Sequence, residues 1–198
     1  MKKLATILFL FNFCFGFSQK DTLPYNPKQE LEFDGKRYRK YNNYLTLGIG
    51  KAFSNVRSKD QSLISVDFHF HLQRHYLQIG FFMSGDQLLA NNNISGHLCY
   101  GLRRERNRTN FAAFVGPSYD NFVVAKEDSV GYFHPVINNV LGGYISLQGI
   151  YKFKYDLGIG VELFADINEK QQLFGGRIVV YLSGAYRGEK RGFKSKPK

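Results

Sequence analysis

Residues 155–186 read YDLGIGVELFADINEKQQLFGGRIVVYLSGAY, two alternating runs joined by a polar segment. In the first run Tyr155, Leu157, Ile159, Val161, Leu163 and Ala165 share one parity, against Asp156, Gly158, Gly160, Glu162, Phe164 and Asp166. After Ile167-Asn168-Glu169-Lys170 the chain returns with Phe174, Ile178, Val180 and Leu182 against Gly175, Arg177, Val179 and Tyr181. Period-two alternation is the mark of a β-strand with two unlike faces. Soluble strands cluster at about 5–6 residues, whereas a tilted strand crossing a bilayer needs about 9–11. The stretch reads as one hairpin of a transmembrane β-barrel.

The rest of the 198 residues fits one such domain. Met1-Lys2-Lys3 and the apolar run to Phe17 have the two leading regions of a secretory signal peptide. Gly16 and Ser18 supply the small residues for cleavage before Gln19, so 1–18 is the expected signal. The apolar run is too short for a spanning helix, which needs about 20 residues. Cys14 falls inside the signal, leaving Cys99 alone in the mature chain, so a disulfide-stapled scaffold is excluded. Residues 19–41, with Pro24, Pro27 and the basic run Lys36-Arg37-Tyr38-Arg39-Lys40, show no alternation and read as a mobile extension.

Six further alternating segments precede the hairpin, at about 43–53, 62–72, 75–84, 94–103, 109–121 and 140–152. Pro117 weakens the end of the fifth, because it has no N–H to give a ladder. The connections alternate in length. Gln73-Arg74, Arg104–Arg108 and Phe153-Lys154 are short; Ser54–Gln61, Gly85–Asn93 and Phe122–Asn139 are longer. Eight antiparallel strands with short turns at one end and long loops at the other are the plan of small outer-membrane barrels, the short turns being periplasmic. Residues 42–186 thus resemble the eight-stranded OmpA/OmpX architectural class. The expected fold is all-β, an eight-stranded antiparallel up-and-down transmembrane barrel, followed by a basic tail at 187–198.

A soluble barrel would alternate too, but three features point to lipid. The less apolar face carries Gly48, Gly50, Gly80, Gly101, Gly116, Gly142, Gly158, Gly160 and Gly175; small residues make room in a narrow lumen and are poor choices for a strand surface in water. Tyr76, Phe111, Tyr151, Phe153 and Tyr155 gather at the short-turn end, as an interfacial aromatic girdle would. The apolar faces are almost free of charge, Lys51 being the main exception.

The formal net charge of +11 concentrates at the short-turn end. Arg103, Arg104, Arg106, Arg108, Lys152, Lys154, Arg187, Lys190 and Arg191 form an expected periplasmic basic patch, suited to anionic lipid or to an acidic partner in an envelope complex. Nucleic acid, the other usual partner of so basic a chain, is discounted for an exported barrel.

Inside the barrel, parity collects Asp67, His69, His71, His97, Glu162 and Arg177 into an expected polar lumen network. A last loop centred on 168–169 would set Arg177 diagonal to Glu162. An eight-stranded barrel is just wide enough for its side chains to fill it, so the network reads as a plug ahead of an ion path. His69, His71, His97 and Cys99 include zinc- or copper-binding residue types, but i, i+2 spacing on a strand arises easily by chance, and no metal or other cofactor is expected. Some barrels of this kind are lipid A acyltransferases or deacylases. His97 with Ser95, or His134 near Asp128 and Ser129, would be the pairs to consider, yet neither forms a recognisable motif. The expected role is structural or accessory, with a lipid-modifying enzyme or a narrow pore as alternatives. The apolar residues of the longest loop are expected either to pack over the mouth or to extend the strands above the membrane.

Overall fold

The computed structural model of the chain describes residues 26, 28–85, 93–106, 108–127 and 133–189. The expected signal peptide, the first residues of the extension and residues 190–198 of the tail, with Lys190 and Arg191, lie outside them. The described strands are β1 (Glu30–Phe33), β2 (Lys36–Arg39), β3 (Tyr44–Ser54), β4 (Arg57–Leu72), β5 (His75–Gly85), β6 (Asn93–Glu105), β7 (Thr109–Glu127), β8 (Phe133–Lys154), β9 (Leu157–Asn168), β10 (Gln172–Ser183) and β11 (Tyr186–Glu189). Strands β3 to β10 form an antiparallel meander, and β10 pairs with β3 to close the barrel. Closure leaves this sheet without an edge, as a barrel in lipid requires.

The alternation sorts the side chains as the sequence implies. Ile49, Phe81, Val115, Leu147, Val161, Leu163 and Ile178 are exposed on the outside, and Leu141 reaches 74%. An apolar belt of this extent belongs in hydrocarbon. Lys51, the charged exception, pairs with Asp60 at 3.5 Å. At Pro117 the β6–β7 pairing lapses between Ser118 and Val115, then resumes without a register shift, so the missing N–H costs local bonds and not the strand.

Three expectations change and one open alternative is resolved. The last hairpin is centred one residue later than expected, and Glu162 stands directly opposite Arg177. The cause is local: the Asn168 side-chain oxygen accepts the backbone N–H groups of Lys170 (2.9 Å) and Gln171 (2.7 Å), fixing a tight turn beyond Asn168. In the aromatic girdle, Tyr76 and Tyr155 turn inward, at 2% and 0% exposure, leaving Phe111, Tyr151 and Phe153 outside. Tyr76 lies in register with His71 and Gly101 on the lumen side. Tyr155 follows an irregularity at Lys152/Lys154 that breaks the simple parity.

Third, of the two expectations for the longest loop, the strand extension holds. The β7–β8 pairing runs on to Glu127↔Phe133, whereas β6 stops opposite Phe122 and β9 opposite Gly142. A two-stranded ribbon therefore projects beyond the closed barrel, with Ile137 65% exposed. Fourth, the extension is not devoid of structure. Asp34 and Gly35, with φ of 49° and 73°, make a two-residue turn between β1 and β2. Strand β2 then pairs with β11, building a three-stranded sheet, β1-β2-β11, from both flanks of the barrel.

That sheet is fastened across the short-turn end. Phe33, Tyr38, Tyr155 and Ala185 form a buried cluster, with the Tyr38 and Tyr155 rings 4.9 Å apart. The Arg39 N–H donates to the Ala185 carbonyl at 2.8 Å. The short-turn mouth is thus capped by folded chain.

Candidate functional site

The lumen is the site with the greatest density of chemistry, and it is built from the strand register. Asp67 on β4, Gly80 on β5 and His97 on β6 are consecutive cross-strand partners. A Cβ on Gly80 would fall 2.1 Å from Asp67 Oδ1 and 2.2 Å from His97 Nε2. Glycine at this position lets the two flanking side chains meet above it, at 2.9 Å. From β10, Arg177 Nη2 reaches Glu162 Oε1 at 2.7 Å, Asp67 Oδ2 at 2.9 Å and the Tyr144 hydroxyl at 3.2 Å. Gln78 donates to Asp67 (3.2 Å) and Gln148 to Glu162 (3.1 Å). The His97 ring stacks on Tyr144 at 3.9 Å and 9°.

Asp67, Glu162 and Arg177 have no exposed side-chain surface. A buried charge persists only when paired and hydrogen-bonded, and here one cation lies between two anions. The network fills the cross-section together with Tyr144, Phe82 and Phe164, whose rings stand 5.4–6.4 Å apart. The arrangement is that of a plug.

Of the six expected lumen residues, five lie inside. His69 is buried, stacks on Tyr44 at 4.0 Å and lies 3.2 Å from Thr46 Oγ1. His71 is the correction. Its parity is inward, but its depth is not: it stands at the short-turn rim, its Nδ1 2.9 Å from Asn43 Oδ1, close to the turn that ends β4. Among the described residues no three His, Cys, Asp or Glu side chains converge as metal ligands. Ser95 donates to Asp166 at 2.9 Å while His97 Nε2 meets Asp67, so Ser95 and His97 do not form a nucleophile–base pair. The side chains of His134, Asp128 and Ser129 lie outside the described residues.

The basic patch divides. Arg104, Arg106, Arg108, Lys154 and Arg187 are exposed at the short-turn end. Arg103 and Lys152 point inward, with 1% and 0% side-chain exposure. Both pair with Glu105, Arg103 at 3.1 Å and Lys152 in a short contact. The Arg103 guanidinium also lies 4.6, 5.2 and 5.6 Å from the ring centres of Tyr44, Tyr76 and Tyr181. Aromatic faces and a carboxylate make a site that holds a guanidinium away from water. The sequence contained the signal: Arg103 and Glu105 share lumen parity on β6.

Two further acids, at the ends of expected strands and absent from the expected network, lie in the lumen. Asp120 and Asp166, at 1% and 2% exposure, lie inside the long-loop end. Asp166 accepts hydrogen bonds from Ser95 and Ser118 (2.9 and 2.7 Å), and Asp120 accepts one from Asn168 (3.0 Å).

The likeness of this chain to known proteins is one of shape. The N-terminal β-barrel domain of Pseudomonas aeruginosa OprF superposes with a TM-score of 0.53 at 12% identity, covering 71% of this chain and 97% of that one. The fold is that of the small outer-membrane barrels. Neisserial surface protein A matches with a TM-score of 0.51 at 8% identity, over 71% of this chain and 94% of its own. Ail, the attachment invasion locus protein of Yersinia pestis, matches at 0.53 and 5% identity, over 72% and 98%. No family model and no curated protein matches the sequence. Identities this low establish architecture, an eight-stranded transmembrane barrel, and leave the role to this chain's own residues.

Proposed function

We propose that the chain is a small, non-conducting outer-membrane barrel serving a structural or accessory role, with its short-turn end in the periplasm. The observation that carries this reading is the folded cap. The β1-β2-β11 sheet covers the short-turn mouth and sits beside a rim of exposed cations, Arg104, Arg106, Arg108, Lys154 and Arg187. Beneath it the lumen is filled by the Arg177 network, so transport is a poor use of this barrel. A rigid platform with basic edges at a membrane surface suits anionic head groups and the acidic face of an envelope partner. Each basic side chain near such a surface contributes about 1 kcal/mol when the lipid is anionic.

The test is purification from outer membranes in mild detergent, comparing the wild type with the charge reversal R104E/R106E/K154E/R187E. These side chains are outside the lumen, so heat-modifiable migration is expected to persist in the variant. The reading expects a stoichiometric partner to accompany the wild type and to be lost from the variant. A partner retained equally by both would transfer the interaction to another surface. Recovery of the wild type as a soluble periplasmic protein would refute the membrane assignment.

A further inference from the structure

The buried charges divide unevenly along the barrel. At the short-turn end Arg103 and Lys152 share Glu105, and in the middle Arg177 serves Asp67 and Glu162. At the long-loop end Asp120 and Asp166 share one corner of the lumen: Ser95, the register partner of Asp120, donates to Asp166, and Asn168, two residues beyond Asp166, donates to Asp120. Among the described residues no ion pair reaches either carboxylate. Lys170 Nζ, on the adjoining turn, is bonded instead to Asn138 Oδ1 at 3.0 Å. Two carboxylates held together in a dry site need a shared proton or a cation between them.

The surroundings supply oxygen. Ser95 and Ser118 both direct hydroxyls at Asp166, while the Asn168 amide N–H holds Asp120 Oδ2 in place. Asn93 is the independent indication. It is 2% exposed, and neither its side-chain oxygen nor its nitrogen has a hydrogen-bond partner. By register it lies one lumen step beyond Ser95 and diagonal to Asp120. Asp120 Oδ1 is likewise buried without a partner. A buried amide left unsatisfied at both ends is costly unless a ligand or ordered water completes it. Asn168 is only half-buried, which gives the cluster an edge towards solvent at the last turn.

We propose that this cluster is a binding site for a hard divalent cation, with Asp120 and Asp166 as the charged ligands and Ser95, Ser118 and Asn93 as neutral oxygen donors. Two carboxylates and several neutral oxygens, with no imidazole or thiolate, are a donor set for calcium or magnesium and not for zinc or copper. The bound ion cross-links β6, β7 and β9 just inside the mouth, where the β7–β8 ribbon leaves the barrel. The site is independent of the basic cap and of whatever that cap binds.

The test is calorimetric titration of calcium chloride into the detergent-purified, chelator-treated protein, paired with the temperature at which heat-modifiable migration is lost. One saturable calcium per chain and a rise in that temperature are expected for the wild type. D120N and D166N are expected to weaken binding by about tenfold or more, since carboxylate count sets affinity in oxygen-donor sites. In chelator, D120N is expected to be more heat-resistant than the wild type, because it removes the repulsion without the ion. If the acid variants do not fold, N93A and S118A test the same cage without altering its charge, and each is expected to weaken binding severalfold. Absence of saturable binding by the wild type overturns the proposal. So does undiminished affinity in the folded acid variants, or in N93A and S118A where those must stand in for them.

Discussion

The two ends of this barrel are closed in opposite ways. The short-turn end is covered by a separate sheet, and each buried cation behind it has Glu105 as a counter-charge. At the long-loop end side chains fill the lumen, and among the described residues no cation pairs with its two buried acids. The difference teaches that charge balance inside a barrel is local. A net excess of positive charge on the whole chain does nothing for Asp120 and Asp166, because lumen charges interact only with what the register places beside them.

The largest effect is expected at the centre, which separates the two ends. Arg177→Met removes the cation between Asp67 and Glu162 and should cost about 3–5 kcal/mol, the usual penalty for leaving buried charge uncompensated. The loss of heat-modifiable migration at lower temperature would measure it, and adding D67N and E162Q to the same chain should restore most of the stability. At the short-turn end, Glu105→Gln leaves Arg103 and Lys152 facing each other and should cost about 3 kcal/mol by the same reasoning. At the long-loop end the corresponding amide, Asp120→Asn, should act with the opposite sign and stabilise the ion-free protein by about 1 kcal/mol. Equal signs at the two ends would erase the contrast.

The cap offers a finer test. Tyr38→Ala removes the ring that packs between Phe33, Tyr155 and Tyr186. It should cost about 2 kcal/mol locally, less than a fully enclosed aromatic, and free the sheet without opening the barrel. Limited trypsin digestion should then cut near Arg37 and Arg39 while migration on unheated gels stays compact. Simultaneous loss of both would mean that cap and barrel fold as one unit.

How much of this was legible in the sequence follows from what each feature depends on. The eight barrel strands depend on alternation over ten or so residues, and that signal survives every local irregularity. Asp67, His69, His97, Glu162 and Arg177 therefore came out inside. His71 did not, because parity reports a side and not a depth. Tyr155 escaped because it follows a break in the β8–β9 register, after which parity no longer reports direction. Arg103 and Lys152 were grouped with outward charges because they lie near turns, although Glu105 shared their side. Asp120 and Asp166 stood at the ends of the expected segments, where parity alone does not say whether a side chain is in the lumen or in a loop, and their strands run on past them.

The cap was the largest omission. Its strands are four residues each, too short for alternation to register, and β2 pairs with β11 from the far flank of the chain, a partner that no local pattern identifies. One local sign was present. Asp34-Gly35 between Leu31, Phe33 and Tyr38 is a hairpin dipeptide with apolar residues on both sides. A turn dipeptide specifies a hairpin; it does not say what the hairpin will cover.

The most direct test of the filled lumen is electrical. Purified, unheated protein would be inserted into a planar lipid bilayer and its current recorded across a range of voltages. A barrel plugged by Arg177, Glu162, Asp67 and Tyr144, and capped at one end, predicts insertion without resolved conductance steps. Reproducible unitary steps from the compact, heat-modifiable form would contradict it.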